Sequence, residues 1–253
     1  MSTISIENGM IANLPCSWVK PKHTDKKKLV IFLPGFSGYK SSDGEFLCIL
    51  AEHGFHALSF DPYQHGDRKI ETQEQLFARI HTNIRMHFWK ILGKTVEDIP
   101  RIIDEATKTF NLNKEEVGLG GVSMGGDISI AAAGVDKRIK VISANIATPD
   151  WLRPGTNQVN ETGYPDAEST ALFAKYNPMN NLQNYKHCPS LQINCGEDDE
   201  MVPAMSSQVF ESALYKTYEH CSDNLNINVN SGVGHQFNDE MKTTCLNWFI
   251  EKL

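Results

Sequence analysis

The sequence predicts an α/β fold in which helices cover both faces of a mostly parallel central sheet. Short apolar segments typical of buried strands alternate with helix-like segments along the 253 residues, and this alternation is characteristic of parallel sheets. In addition, the pentapeptide Gly121-Val122-Ser123-Met124-Gly125 lies between a strand-like segment ending at Leu119 and an apolar helix-like segment, 127–133. A chain of this length fits one α/β domain, so we expect a single domain over residues 1–253.

The elements are expected in a regular order. Residues 3–20 predict a hairpin that turns at Asn8-Gly9, because this dipeptide favours two-residue turns. Further strands are expected at 28–33, 56–60, 116–119, 140–145, 189–195 and 225–229, and helices at 44–52, 73–92, 96–110, 127–133 and the C-terminus. The apolar stripe of the 73–92 helix is typical of a core-facing surface. It is also suited to line a pocket or to mediate a homodimer.

The G-x-S-x-G pentapeptide predicts a nucleophilic serine, Ser123. A serine at a tight strand-to-helix turn exposes its hydroxyl, and glycines are needed two residues to either side because larger side chains would collide there. The amide of Met124 is then a candidate donor to the oxyanion of a tetrahedral intermediate. The second candidate donor is the amide of Phe36, in the Pro34-Gly35-Phe36 loop that follows the strand 28–33.

A carboxylate and a histidine follow the serine, in the chain order of hydrolases that use this turn. The acidic loop Gly196-Glu197-Asp198-Asp199-Glu200 comes after the strand 189–195. We choose Asp199, because Gly-x-x-Asp-x-x-Val-Pro matches the acid loop of hydrolases, and Asp198 is the alternative. His235 lies in a glycine-containing loop before the C-terminal helix. It is the expected acceptor of the serine proton.

These motifs resemble those of the α/β-hydrolase superfamily over nearly the whole chain. A narrower resemblance, to small single-domain bacterial esterases related to dienelactone hydrolases and to the catalytic domain of prolyl oligopeptidases, rests on Leu33-Pro34-Gly35-Phe36, the Asp-x-x-x-His-Gly-x-Arg segment from Asp61 to Arg68, and Gly234-His235. The resemblance implies a serine hydrolase that cleaves small to medium carboxylic esters through an acyl-enzyme and needs neither a cofactor nor a metal. His65 precedes the serine, so we expect it to be structural.

Residues 147–188 interrupt the alternation of strands and helices. The segment is too long for a tight connection and lies where α/β-hydrolases place a cap over the site, so we expect a cap or lid insertion. Four residues of the segment are candidates to line the acyl or alcohol pocket: Trp151, Leu152, Tyr164 and Phe173. The alternative for each of them is that it anchors the insertion to the body of the domain.

The same residues are compatible with several alternative functions. The same catalytic groups could cleave peptides, thioesters or lactones, or could transfer the acyl group to an alcohol or an amine, since the site rather than the fold decides the substrate. A non-catalytic binding protein of the same fold is the least favoured alternative, because all three side-chain types of a catalytic triad are present.

The composition narrows the choice of partners. A formal net charge of −7 argues against nucleic-acid binding, which requires a basic surface. No stretch approaches the roughly 20 apolar residues that span a bilayer, and the N-terminus lacks the features of a signal peptide. We therefore expect a soluble, cytoplasmic protein whose partner is a small-molecule ester.

The six cysteines show no spacing typical of a zinc site, which favours reduced, buried thiols.

Overall fold

The computed structural model describes residues 5–24, 26–156 and 163–253, which form one eight-stranded sheet and seven α-helices. The strands are β1 (Glu7–Ile11), β2 (Leu14–Val19), β3 (Leu29–Leu33), β4 (His56–Phe60), β5 (Val117–Val122), β6 (Ile139–Asn145), β7 (Ser190–Gly196) and β8 (Leu225–Asn230). The helices are α1 (Gly44–Glu52), α2 (Gln73–Thr82), α3 (Ile84–Phe110), α4 (Met124–Ala133), α5 (Ala167–Tyr176), α6 (Met205–Tyr218) and α7 (Asp239–Lys252).

The sheet is mostly parallel, as predicted. Its strand order is β1-β2-β4-β3-β5-β6-β7-β8. Strands β3 to β8 run parallel to one another, whereas β1 and β2 are antiparallel to their neighbours. The carboxyl ends of β3, β5, β7 and β8 therefore lie at the same edge of the sheet, and the loops that leave these ends can meet there.

Helices cover both faces of the sheet because alternate side chains of each central strand point to opposite sides. In β3, Val30 and Phe32 pack into the hydrophobic cluster that contains residues of α1 and α7. The neighbouring side chains of β3, including Ile31, pack into the larger cluster with residues of α3, α4 and α6. The predicted α/β-hydrolase architecture is thus confirmed.

The N-terminal hairpin turns at Ala12-Asn13, so the prediction of a turn at Asn8-Gly9 was wrong. Ala12 and Asn13 have φ values of 51° and 59°, and positive φ at both central residues is typical of a two-residue type I′ turn. Gly9 instead lies within β1, opposite Cys16 of β2. A Cβ atom there would lie 2.8 Å from the ring of Trp18, so this glycine makes room for the tryptophan.

The helical region after His65 divides at Asn83, and not between residues 92 and 96 as predicted. Asn83 has a non-helical backbone, and its side chain accepts a hydrogen bond from the amide of Met86 at the start of α3. The helix then continues past Gly93, where a Cβ would lie 2.8 Å from Leu172 of α5. Although α3 has 27 residues, neither it nor any other helix within the described ranges is long and apolar enough to cross a membrane.

Candidate active site

Ser123 lies at the sharp turn between β5 and α4. Its φ of 51° and ψ of −115° belong to a region that non-glycine residues rarely occupy. The flanking glycines make this turn sterically feasible. A Cβ on Gly121 would lie 2.6 Å from the carbonyl carbon of Gly125, and a Cβ on Gly125 would lie 2.3 Å from the carbonyl oxygen of Leu33. The steric requirement for both glycines is therefore visible in the structure.

The structure brings the predicted serine, histidine and acid together in one hydrogen-bonded line. Ser123 Oγ lies 3.0 Å from His235 Nε2, and His235 Nδ1 lies 2.7 Å from Asp199 Oδ2. The other carboxylate oxygen of Asp199 accepts hydrogen bonds from the amides of Met201 and Val202, at 2.9 and 2.8 Å. These bonds fix the orientation of the buried carboxylate, and the carboxylate in turn orients the imidazole.

The neighbouring Asp198 has a different position. Its backbone amide donates a hydrogen bond to the carbonyl of Val233, at 2.9 Å, and so joins the acid loop to the histidine loop. Gly196 allows this close approach, because a Cβ there would lie 2.3 Å from the Val233 carbonyl oxygen. Glu197 also joins the two loops, since its carboxylate accepts hydrogen bonds from the hydroxyl of Ser231 and the amide of Gly232.

The two residues predicted to provide oxyanion donors lie beside the serine. Met124 is the first residue of α4, and the amides in the first turn of a helix have no acceptor within that helix. The loop that contains Phe36 also passes close to the serine. A Cβ built on Gly35 would lie 3.7 Å from the Cβ of Ser123, and Phe36 lines the same cavity as Ser123.

A mostly apolar cavity of about 130 Å³ adjoins Ser123 and His235. Its other lining residues come from the Phe36 loop, α2, the first turns of α3, the segment after β6 and the acid loop: Phe36, Phe77, Ile80, His81, Ile84, Phe88, Arg153, Thr156, Met201 and Val202. The helical stripe that was suited to line a pocket thus provides the largest part of the cavity wall.

The four residues predicted to line the pocket are absent from this cavity wall. Trp151 is buried in the core, where its carbonyl accepts a hydrogen bond from the indole nitrogen of Trp89 at 2.9 Å. Phe173 stacks on the same Trp89 ring with a centroid separation of 4.0 Å. For these two residues the structure favours the alternative role of anchoring the insertion to α3.

The other two pocket candidates, Leu152 and Tyr164, are solvent-exposed. Tyr164 is 93% exposed, and its backbone carbonyl accepts a hydrogen bond from the side chain of Asn83. Aromatic composition alone therefore did not identify the pocket wall. Residues 157–162, which also belong to the predicted insertion, lie outside the described residues.

Arg153 is a cavity residue that the sequence pattern did not indicate. Its guanidinium forms an ion pair with the fully buried carboxylate of Asp127 in α4 and lies 5.1 Å from the ring centroid of Phe88. The second oxygen of Asp127 accepts a hydrogen bond from the amide of Thr148, at 2.7 Å. Burial raises the pKa of Asp127 to about 6, and the positive charge of Arg153 opposes this shift.

The Asp-x-x-x-His-Gly-x-Arg segment forms a loop that is held together by its own polar groups. The buried carboxylate of Asp61 accepts hydrogen bonds from the amides of Lys40 and Asp67, each at 2.7 Å. Gly66 has a φ of 55°, and a Cβ there would lie 2.2 Å from an oxygen of Asp61. Arg68 donates to the Asp61 carbonyl. This motif therefore has a structural explanation.

The ring of His65, in this loop, packs against the ring of Phe36. The two rings pack edge to face with centroids 5.4 Å apart, and His65 Nδ1 lies 2.9 Å from the carbonyl oxygen of Tyr63. His65 is buried and does not line the cavity beside Ser123. Burial lowers its pKa. These contacts support the predicted structural role.

Comparisons with known proteins agree with this architecture. The family model described as Prolyl oligopeptidase family matches residues 89–253, which is more than half of the chain. The Bacillus subtilis (strain 168) protein named "Putative esterase YitV" is 23% identical over 257 residues, covering 97% of this chain and 98% of that protein.

Two solved structures show the same fold. The structure of TT1662 from Thermus thermophilus has a TM-score of 0.82 and 21% identity, with 100% of both chains covered. An acylaminoacyl peptidase from Pyrococcus horikoshii has a TM-score of 0.72 and 14% identity, and the match covers 99% of this chain but only 41% of the peptidase chain. The chain thus belongs to the prolyl oligopeptidase family and is an α/β-hydrolase-fold protein of the serine hydrolase type.

Proposed function

We propose that this protein is a carboxylesterase that uses Ser123, His235 and Asp199 as a catalytic triad. Ser123 Oγ attacks the ester carbonyl carbon while His235 Nε2 takes the hydroxyl proton. The histidine then gives this proton to the departing alkoxide, which leaves as the alcohol, and the acyl group stays on Ser123. Water attacks the acyl-enzyme in the same way, and its proton passes through His235 back to Ser123 as the carboxylic acid is released.

One observation carries this proposal: Ser123 Oγ, His235 and Asp199 are connected by two consecutive hydrogen bonds of 3.0 and 2.7 Å. The Asp199 bond to Nδ1 favours the tautomer in which Nε2 is free to accept a proton. Asp199 is only 3% exposed, so its charge is little screened by water when the imidazolium forms.

The amides of Met124 and Phe36 are the proposed oxyanion donors. Support for this role comes from the position of Met124 at the start of α4 and from the passage of the Phe36 loop beside Ser123. Backbone donors of this kind stabilise the negative oxygen that develops on the carbonyl. Loss of one oxyanion donor typically lowers kcat by about 100- to 1,000-fold.

The cavity supports a substrate with a small, apolar acyl group. Its volume of about 130 Å³ is close to that of the ~150 Å³ apolar cavity that holds benzene in an engineered protein. It is below the range of roughly 300–1,000 Å³ that drug-sized ligands occupy. We therefore expect acyl groups from acetyl to butyryl, or one aromatic ring, to be preferred over long alkyl chains.

We also propose that residues 147–188 act as a cap within a single domain. Two residues of the segment, Arg153 and Thr156, line the cavity, and α5 packs along α3. The segment thus contributes to the walls of the site while Trp151 anchors it to the core.

Active-site labelling followed by a substrate series tests the proposal. A fluorophosphonate probe should label the wild-type protein and fail to label Ser123→Ala. A series of p-nitrophenyl esters from acetate to long acyl chains should then give the highest kcat/KM at short chain length. Absence of labelling in the folded wild-type protein would contradict the triad, and labelling without ester hydrolysis would contradict the esterase assignment.

Peptide hydrolysis is the second candidate function, because the family match and the likeness to an acylaminoacyl peptidase favour it. An aminopeptidase substrate and a thioester, measured beside the esters, distinguish these activities. Alternative acyl acceptors in the same assay separate hydrolysis from acyl transfer, since transfer yields a new ester or amide. For an esterase we expect kcat/KM for the ester to exceed kcat/KM for the peptide substrate.

A further inference from the structure

Cys188, His220 and Cys221 form a cluster of metal-ligating side chains that the proposed hydrolysis does not use. The Sγ of Cys188 lies 3.6 Å from His220 Nε2, and the three ligand atoms all lie within 4.8 Å of one another. Cys188 lies two residues before the first residue of β7, whereas His220 and Cys221 follow α6. The fold therefore brings together two separate segments, each with soft or borderline donor atoms.

We propose that this cluster binds Zn²⁺ through Cys188 Sγ, Cys221 Sγ and His220 Nε2. Zinc binds thiolate sulfur at about 2.3 Å and imidazole nitrogen at about 2.0 Å in a tetrahedral arrangement, which places the sulfur and nitrogen about 3.5 Å apart. The observed sulfur–nitrogen distance of 3.6 Å is close to this value. Two thiolates and one imidazole also form a donor set that selects zinc over magnesium or calcium.

Solvent can complete the coordination. Cys188 and Cys221 are half-buried and His220 is exposed, so a water molecule can reach the fourth tetrahedral position. In the metal-free protein the thiol of Cys188 donates to the backbone carbonyl of Thr217, at 3.3 Å. On binding, both thiols lose their protons to solvent and two sulfur–zinc bonds form.

The backbone around the cluster is held in place by hydrogen bonds from other residues. The side-chain amide of Asn224 donates to the carbonyl of Cys188, and the hydroxyl of Tyr218 donates to the carbonyl of Pro189, at 3.2 and 2.9 Å. These bonds join the segment before β7 to the last residue of α6 and to the segment that follows α6. The backbone at Cys188 is therefore held against the end of α6, which lowers the ordering cost of binding.

The position of the cluster separates it from the triad. Cys188 precedes the first residue of β7, whereas Asp199 follows the last residue of the same strand. A strand of seven residues spans about 23 Å at roughly 3.3 Å per residue, so the zinc site and the triad lie at opposite edges of the sheet. A bound zinc ion would fasten the end of α6 to the beginning of β7 and would not contact the substrate.

Cobalt and zinc titrations of the full-length, reduced protein test the site. Co²⁺ should give a thiolate-to-cobalt charge-transfer absorption in the wild type that Zn²⁺ abolishes by displacement. Cys188→Ser and Cys221→Ser should weaken this absorption and lower zinc affinity by more than the roughly 10- to 100-fold that loss of a supporting partner costs. Cys48→Ser is the matched control, because Cys48 is a half-buried cysteine of α1 outside the cluster, and it should behave as the wild type.

Thermal unfolding provides a second readout that does not depend on the charge-transfer absorption. Zinc should raise the Tm of the wild type and of Cys48→Ser, because a ligand that binds only the folded state stabilises it, and should leave the Tm of the Cys188 and Cys221 variants unchanged. Fluorophosphonate labelling of Ser123 should be the same with zinc and with a chelator.

Any one of three results overturns the proposal: no charge-transfer absorption in the reduced wild type, equal absorption in both cysteine variants, or a Cys188–Cys221 disulfide that persists at a reducing glutathione potential.

Discussion

Arg153 and Asp127 form an ion pair at the wall of the cavity that contains Ser123, and the carboxylate of this pair is fully buried in α4. Because α4 begins directly after Ser123, the pair joins the segment after β6 to the helix that supports the serine. Removal of one partner leaves the other charge buried without compensation, which costs more than the pair itself contributes.

We predict that Arg153→Met lowers the free energy of unfolding by about 3–5 kcal/mol. The double variant Arg153→Met with Asp127→Asn should recover most of this loss, since it removes both charges. Urea unfolding of the wild type, the two single variants and the double variant gives the coupling energy. If the losses of the single variants simply add in the double variant, the two side chains do not stabilise each other.

The choice between Asp199 and Asp198 leads to a second prediction. Asp199→Asn should lower kcat for a short p-nitrophenyl ester by about 10,000-fold, the size of effect seen when a triad aspartate is replaced by its amide. Asp198→Asn should change kcat little, because Asp198 contributes its backbone amide and not its carboxylate to the described hydrogen bonds. A large loss in Asp198→Asn with an active Asp199→Asn would reverse the assignment.

The turn at Ser123 leads to a third prediction. Gly125→Ala should abolish fluorophosphonate labelling and destabilise the fold, because its Cβ would lie 2.3 Å from the Leu33 carbonyl oxygen. Gly234→Ala is the matched control, since the atom found near a Cβ there is the Asp198 carbonyl oxygen at 3.8 Å. Circular dichroism of both variants reports whether the fold is lost, and labelling reports whether Ser123 is still reactive. A folded and fully labelled Gly125→Ala would contradict the described geometry.

The cavity wall leads to a fourth prediction, on acyl-chain preference. Phe77→Ala should increase kcat/KM for longer acyl chains relative to acetate, because Phe77 lines the cavity and is itself half-exposed. Trp151→Ala should leave the preference unchanged but destabilise the protein by about 3–5 kcal/mol, as is typical for removal of a buried aromatic side chain. A shift of acyl-chain preference in Trp151→Ala with none in Phe77→Ala would support the prediction from the sequence that Trp151 lines the pocket.

A fifth prediction concerns the pH dependence of stability. Burial lowers the pKa of His65 below its ordinary value of 6.5, so protonation of this ring favours the unfolded state. Its contribution is fully present above pH 6.5 and is lost as the pH falls toward the lowered folded-state pKa, by at most about 1.4 kcal/mol per pH unit.

Urea unfolding between pH 8 and pH 5 measures this effect in the wild type and in His65→Gln. The variant should show a smaller decrease in the free energy of unfolding over this range, and it should retain labelling of Ser123. His235→Ala, in contrast, should lose the labelling. Equal pH slopes in the wild type and His65→Gln would contradict the prediction, and loss of labelling as complete as that of His235→Ala would assign His65 a catalytic role.

The fold and the chemical centre could be predicted because local sequence rules determine both. The glycines beside Ser123 are required by contacts within a single turn, and apolar segments such as β3 and β7 are recognisable without tertiary information. The order of serine, acid and histidine then follows from the loops after β5, β7 and β8. His235 and Asp199 are therefore brought to Ser123 by features that the sequence displays directly.

Only the helical part of the pocket wall could be predicted, and the cysteine cluster could not, because the remaining contacts depend on how distant segments pack. Trp151 is buried, and its carbonyl accepts a hydrogen bond from Trp89 of α3, whereas its side chain is absent from the cavity wall. Cys188 and Cys221 are 33 positions apart in sequence, and only the return of the chain along α6 makes them neighbours. The hairpin prediction failed for a related reason: the room that Gly9 leaves for Trp18 is visible only once the strands are paired.

The interruption at Asn83 has a consequence for how this enzyme can change. Helix α2 has ten residues and contributes Phe77, Ile80 and His81 to the cavity, yet it holds none of the three residues proposed to form the triad. For the proposed esterase, replacing this one helix would alter which acyl chains are admitted while Ser123, His235 and Asp199 stay in place. New substrate ranges are therefore accessible to evolution, or to a protein engineer, by exchange of a short segment.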